Sequence, residues 1–172
     1  STFLGAHAFP ARYAEDHNGY VEEIINEMIP MIASEGLAEY IDAFCEEGFF
    51  SVEDTDRIFN AGMKYGLRPK VHANQMGFSG GVQVGVKYGA ISVDHLESTG
   101  PQEFEALKNS DTIATILPGA TFFLNMEYAP AKQMIEYGIP VAMASNYNPG
   151  SCPSGSLQFQ MALACIAMKL TP

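Results

Sequence analysis

One pattern constrains this chain more than any other. Six times a short β-rich run passes through a loop and gives way to a helix-patterned stretch, and all but the fifth run end in or directly before a polar residue. The runs are Thr2 to His7, Tyr40 to Cys45, Pro69 to Gln75, Ala90 to His95, Thr112 to Leu117 and Pro140 to Asn146. Between the first two, Val21, Ile24, Ile25, Met28, Ile29 and Ile32 recur at helical spacing, which predicts a helix over about 20–36 stopped by Gly36. Ser51, with Asp54 three residues on, predicts a capped helix to about Tyr65. A glycine-bearing loop, Gly77 to Gly81, leads into a short helix ending near Tyr88. Pro101 suits the first turn of a helix carrying Phe104 and Leu107. Further helices are expected around 130–137 and over 156–169, the last apolar on nearly every side.

Successive β-α units imply parallel strands with helices outside them. No linker, charge block or low-complexity stretch divides the chain, so residues 1–172 read as one unit. An open doubly wound sheet and a closed barrel both fit the alternation. The only glycine cluster, Gly77 to Gly81, has neither GxGxxG nor phosphate-loop spacing. The barrel accounts for something more. His7, Glu46, His72, His95 and Asn146 stand at or just beyond the C-terminal ends of runs, and in a β/α barrel those ends converge on one mouth. A closed barrel takes eight strands and six are readable, so two units are expected to be missing. The edges of a partial barrel would be open, which predicts either a larger parent chain or a homo-oligomer.

Composition narrows the partners. Nine basic residues face 20 acidic ones, for a net charge of -11. That argues against nucleic acid, whose phosphates need a basic face. Three cysteines without a CxxC pair fit a reducing, cytoplasmic setting better than a disulfide framework. No apolar run reaches the length of a membrane span. The chain opens at Ser1 without an initiator Met or a leader, so an upstream segment is expected.

Three of the four histidines, His7, His72 and His95, close different runs; His17 lies in a polar stretch and is expected to be solvated. A lone strand-end His is more often a hydrogen-bonded structural residue. Three in one parallel array favour a shared site, since imidazole ligates zinc or iron readily, yet spacing alone establishes no metal centre. Glu46 and Glu47 read equally well as an orienting acid and as solvated loop acids. Cys45 and Cys165 look like core residues, and Cys152 is expected to be exposed. Asn148-Pro149-Gly150-Ser151 is either an ordinary turn or a loop offering backbone amides to a carboxylate or polar ring. Met28, Met31, Met134, Met161 and Met168 are expected to fill the core.

Several of these segments occur together, in order, in one family. Thr2-Phe3-Leu4-Gly5-Ala6-His7-Ala8, Phe44-Cys45-Glu46, His72-Ala73-Asn74-Gln75, Asp94-His95-Leu96, Leu117-Pro118-Gly119 and Asn148-Pro149-Gly150-Ser151-Cys152-Pro153 resemble imidazolonepropionase, a branch of the metal-dependent amidohydrolases. The resemblance spans nearly the whole chain. It implies a TIM-type barrel, of which these units would be strands three to eight, with the first two units and a small β domain lying outside the chain. It implies hydrolysis of 4-imidazolone-5-propanoate to N-formimidoyl-glutamate in histidine degradation, by water that a zinc or iron ion activates. By resemblance His72 is a metal ligand, His95 stands beside the metal and the reacting carbonyl, and His7, Gln75, Asn148, Gly150 and Ser151 contact the substrate, a small molecule. Two positions depart from the pattern. Asn146 stands where the family usually has an Asp that ligates metal and accepts the proton, and Gln75 stands where many members have a Glu. The family's strand-one His-x-His pair does not occur in this sequence. An amide can coordinate through oxygen but cannot act as a base, so a non-catalytic barrel derivative with a binding or structural role is the competing expectation.

Overall fold

A computed structural model describes residues 1–171. Six strands form one sheet: β1 (Thr2–Ala6), β2 (Tyr40–Cys45), β3 (Arg68–Ala73), β4 (Ser92–His95), β5 (Ile113–Ile116) and β6 (Val141–Met143). They lie in sequence order and every neighbouring pair is parallel. Helices fill the crossovers: α1 (His17–Glu23), α2 (Ile29–Ser34), α3 (Val52–Lys64), α4 (Gly81–Lys87), α5 (Pro101–Lys108), α6 (Pro118–Phe123), α7 (Ala131–Glu136) and α8 (Leu157–Ile166). This is the β/α arrangement of a partial barrel, with β1 and β6 each paired on one side only among the described residues.

The two-residue period of the strands sorts their side chains. Ala43, Cys45, Val71, Ala73, Val93 and Ala114 face the helices and are buried with Ile58, Phe59 and Leu107. Helix α4 comes especially close to the sheet, because a Cβ on Gly81 would lie 2.5 Å from Ala73 Cβ and one on Gly85 2.8 Å from Val71 Cγ1. These glycines, four apart, keep one face of the helix free of side chains. The other strand face carries Asp42, Phe44, Lys70, His72 and Asp94, with Phe44 paired to His72 and His72 to Asp94.

Several expected boundaries move. The first helical stretch begins at His17, because Asp16 caps it through a 2.9 Å bond from Gly19 N–H. His17 therefore sits in the first turn of α1, stacked on Phe9 at 3.9 Å, rather than in a loop. A π-helical turn over Ile24–Met28 joins α1 to α2; Pro30, which lacks an N–H and crowds the carbonyl four residues back, accounts for the local widening. The sixth run pairs only over Val141–Met143, the last helix is shorter than expected, and Pro118-Gly119, expected only to close the fifth run, open helix α6. Met31 and Met161 are exposed rather than core, whereas Met134 is fully buried.

Candidate active site

The expected residues meet at the C-terminal ends of the strands. His7, His72, Gln75, His95, Asn146, Asn148, Gly150 and Ser151 line one cavity of about 700 Å³, together with Phe44, Phe49, Met76 and Tyr147. His7 follows β1 and stacks on Phe44 at 5.3 Å; its ring meets His72 edge-on at 5.9 Å, and His72 lies 5.5 Å from His95. Burial, helped by the neighbouring His72, holds the His7 pKa below its ordinary value.

His72 is oriented by groups that the motif did not point to. Its Nδ1 lies 3.0 Å from Asp42 Oδ1. Asp94 is paired with it across β3 and β4, and Lys70 Nζ lies 3.4 Å from Asp94 Oδ2. Burial lowers the His72 pKa, but the Asp42 hydrogen bond and the charges of Asp42 and Asp94 outweigh it, so the net shift is upward. Asp42, His72 and Asp94 each bring one ligand-type atom within 4.8 Å of the others. Imidazole and carboxylate are donors that suit a first-row metal. With Nδ1 turned to Asp42, Nε2 is the nitrogen available on the cavity side. A mid-strand acid two residues before a mouth-facing residue is the signal: Asp42 precedes Phe44 on the interior face.

His95 reaches the cavity by leaving strand geometry. Register places it beside Ala73, which faces the helices. Positive φ at His95 (89°) and at Leu96 (70°) turns the chain and brings the imidazole toward His72. Such backbone strain in non-glycine residues concentrates at functional sites. His95 Nδ1 is buried and lies 3.6 Å from Glu97 Oε2. Glu97 Oε1 accepts a 2.7 Å bond from Thr121 on α6.

Glu46 is buried, not a solvated loop acid, while Glu47 is exposed. Its Oε1 accepts from Gln75 N–H at 2.6 Å and from Met76 N–H at 3.4 Å, which fixes the backbone that carries Gln75. Burial raises the Glu46 pKa, against the pull of those two amides and of His95.

The loop after β6 closes on itself. Asn148 Oδ1 accepts from Gly150 N–H (2.9 Å) and Ser151 N–H (2.8 Å), and Asn148 Nδ2 donates to Asn146 O and Ser151 Oγ. The amides expected to face a ligand are thus occupied by an Asx turn, so the loop presents side chains instead. Asn146 (φ 51°) donates through Nδ2 to Ser151 Oγ at 3.3 Å, which leaves its Oδ1 free to accept or coordinate. Cys152 is buried rather than exposed, because α6 and α8 close over it. All three cysteines are free.

No protein-family model matches the chain. Among curated proteins, imidazolonepropionase from Flavobacterium johnsoniae is 53% identical over 172 residues, which are 100% of this chain and 42% of the relative. Those from Christiangramia forsetii and Shouchella clausii are 49% and 48% identical, again over the whole chain, covering 42% and 38% of the relatives. From end to end this chain resembles imidazolonepropionase. It spans less than half the length of these relatives. Among solved structures, adenine deaminase from Arthrobacter aurescens superposes with a TM-score of 0.74 at 13% identity, covering 99% of this chain and 50% of that one. Guanine deaminase from C. acetobutylicum with bound guanine gives 0.69 at 16% identity (95% and 43% covered). Adenosine deaminase from Xanthomonas campestris with bound zinc gives 0.68 at 13% identity (96% and 41% covered). At such identities the superpositions speak to the fold alone, and they agree with a partial β/α barrel. No helix among the described residues is long and apolar enough to cross a membrane.

Proposed function

We propose that this chain forms the central and C-terminal barrel portion of an imidazolonepropionase, a hydrolase that opens the ring of 4-imidazolone-5-propanoate to N-formimidoyl-glutamate in the cytoplasm. The observation that carries the reading is convergence: histidines closing β1, β3 and β4 and the loop after β6 line one cavity. His72 Nε2 and Asn146 Oδ1 would hold zinc or iron together with ligands supplied from outside these residues. When bound, such an ion activates water and polarises the ring carbonyl.

The chain's own groups do the rest. Phe44 and His7 form a stacked aromatic wall against which a planar ring can lie. Gln75, its backbone held by Glu46, offers an amide to the ring's polar edge. Asn148, Gly150 and Ser151 line the same cavity, and Asn148 and Ser151 hold Asn146 in place. His95 stands where a proton must move between water and the departing ring nitrogen.

The test is ring opening by the full-length gene product, followed as product formation, with metal content measured on the same sample. Turnover with near-stoichiometric zinc or iron supports the hydrolase. Asn146, an amide in the expected base position, motivates the second reading, a non-catalytic barrel derivative; a folded, metal-free and inactive full-length protein would favour it. The isolated 172-residue chain is expected to lack turnover, and robust ring opening by that chain alone would contradict the assignment of further ligands to other residues.

A further inference from the structure

We propose that Glu97 is a positioning residue that holds His95 in the Nδ1–H tautomer, so that a bare Nε2 faces the cavity as the proton acceptor which the Asn146 amide cannot be. The inference deepens the hydrolase reading and rests on it for the identity of the reaction. Two observations carry it. His95 Nδ1 and Glu97 Oε2 are both buried, and among the described residues neither has a hydrogen-bond partner. They lie 3.6 Å apart, with both side chains only 3% exposed. Leaving two such groups unpaired in a dry setting is costly, and a movement of a few tenths of an ångström joins them. Catalytic hydrogen bonds are often long before substrate binds.

The other carboxylate oxygen is already anchored. Thr121 on α6 donates to Glu97 Oε1 at 2.7 Å, and Thr121 is itself buried. This fixes the carboxylate relative to the strand end. With Oε1 accepting from Thr121, Glu97 turns Oε2 toward Nδ1 as an acceptor, and a nitrogen that donates to it carries the hydrogen. A neutral imidazole has one N–H, so its other nitrogen presents a lone pair. The ring lines the cavity, and Nδ1 faces Glu97, so Nε2 is the nitrogen that meets a ligand.

The proton balance is direct. As the water oxygen bonds to the ring carbonyl carbon, one water proton passes to His95 Nε2. The imidazolium so formed faces the Glu97 carboxylate, which stabilises its charge without taking the proton. The same proton then passes to the ring nitrogen as the carbon–nitrogen bond breaks, and His95 returns to its starting tautomer.

The experiment uses the full-length gene product labelled with ¹⁵N-histidine, with His95 assigned by difference against His95→Gln. The wild type is expected to show a protonated Nδ1 and an unprotonated Nε2. Glu97→Gln keeps size and the Thr121 acceptor, but its amide donates toward Nδ1. It should therefore shift the hydrogen to Nε2 and lower kcat about 100-fold, within the range of general acid–base contributions, with KM changed less than about threefold. Thr121→Val removes the anchor alone and should leave the tautomer as in wild type. A wild-type His95 that carries its hydrogen on Nε2 overturns the proposal. So does a Glu97→Gln protein with wild-type tautomer and kcat, or a Thr121→Val protein that reproduces the Glu97→Gln changes. If Glu97→Gln does not fold, the wild-type spectrum alone decides. Absence of ring opening by the wild type would count against the substrate reading, while the tautomer measurement still decides the role of Glu97.

Discussion

Asp42 Oδ1 and His72 Nδ1 lie 3.0 Å apart across β2 and β3, with Asp42 almost wholly buried. The acid comes from the strand interior, two residues before Phe44, which is the register partner of His72. A carboxylate on one imidazole nitrogen fixes the ring and raises the basicity of the other, which is how metal-binding histidines are commonly supported. Asp42→Asn in the full-length protein should therefore weaken zinc affinity by about 10- to 100-fold. Competition with a chelator of known affinity measures it, and unchanged affinity would leave Asp42 with a purely structural role.

The same pair sets a pH dependence in the metal-free protein. The His72 pKa is raised on folding from an ordinary value of 6.5. A raised folded-state pKa means that the folded state binds the proton more tightly. The stabilisation is then full below about 6.5 and is lost as pH rises through the folded value. The stability advantage of wild type over Asp42→Asn should accordingly be largest on the acid side of neutrality and shrink toward alkaline pH. Denaturant titrations of both proteins across pH 6–9, with chelator present, check the sign; a growing advantage would refute it.

Helix α8 carries one fully buried polar side chain, Gln160, while its other glutamine, Gln158, is exposed. Its Oε1 accepts from Gly119 N–H at 2.6 Å, and its Nε2 reaches Ser145 O at 3.5 Å, beside Asn146. The amide ties the loop after β6 to α6. Gln160→Leu leaves the Gly119 N–H without a partner, at a cost of about 1–3 kcal/mol. Each kcal/mol is worth about 2–4 °C in a domain of this size. A fall in Tm of several degrees, read by differential scanning calorimetry, is the expected result.

The sheet edges make a separate prediction. β1 and β6 each have one strand neighbour among the described residues, and Leu157, Met161 and Ile166 on α8 are exposed. Unpaired edges and apolar helix faces seek cover. The isolated 172-residue chain should self-associate, eluting well above monomer size in size-exclusion chromatography at micromolar concentration; a compact monomer would show that these surfaces tolerate water.

The strand ends were legible because two signals coincide there, a β-rich run and a polar residue capable of chemistry. His7, His72 and His95 fall at such ends. Asp42 has a local signal, an acid two residues before a mouth-facing position, and Asp94 lies in a quoted motif, but that both meet His72 follows only from a register set by the whole sheet. Glu97 and Thr121 are 24 residues apart and meet only because α6 packs beside the β4 loop. The turn of His95 toward the cavity has no sequence signature, since it depends on positive φ in two residues, neither of them glycine. Cys152 follows turn formers and reads as exposed, yet α6 and α8 cover it. Local pattern reports local structure; the Glu97–Thr121 contact and the burial of Cys152 come from packing between distant segments, and the His95 turn from a backbone conformation that its residue types do not announce.

The roles of Asn146 and Glu97 meet in one double-mutant cycle. If His95 Nε2 accepts the proton in this chain, Glu97→Gln removes the acceptor and leaves nothing at position 146 to replace it, because an amide takes no proton at neutral pH. Asn146→Asp introduces a carboxylate into the same cavity. In the wild-type background it adds a second acceptor where one already works, so the gain should be less than about tenfold. In the Glu97→Gln background it supplies the only acceptor, so it should recover a substantial part of the loss, which is about 10² or more when general-base help is missing. The two changes are then strongly non-additive, as expected for groups that share one task. Steady-state kcat for the four proteins reads the coupling directly. Equal effects of Asn146→Asp in both backgrounds would mean that position 146 and the His95–Glu97 pair act on different steps.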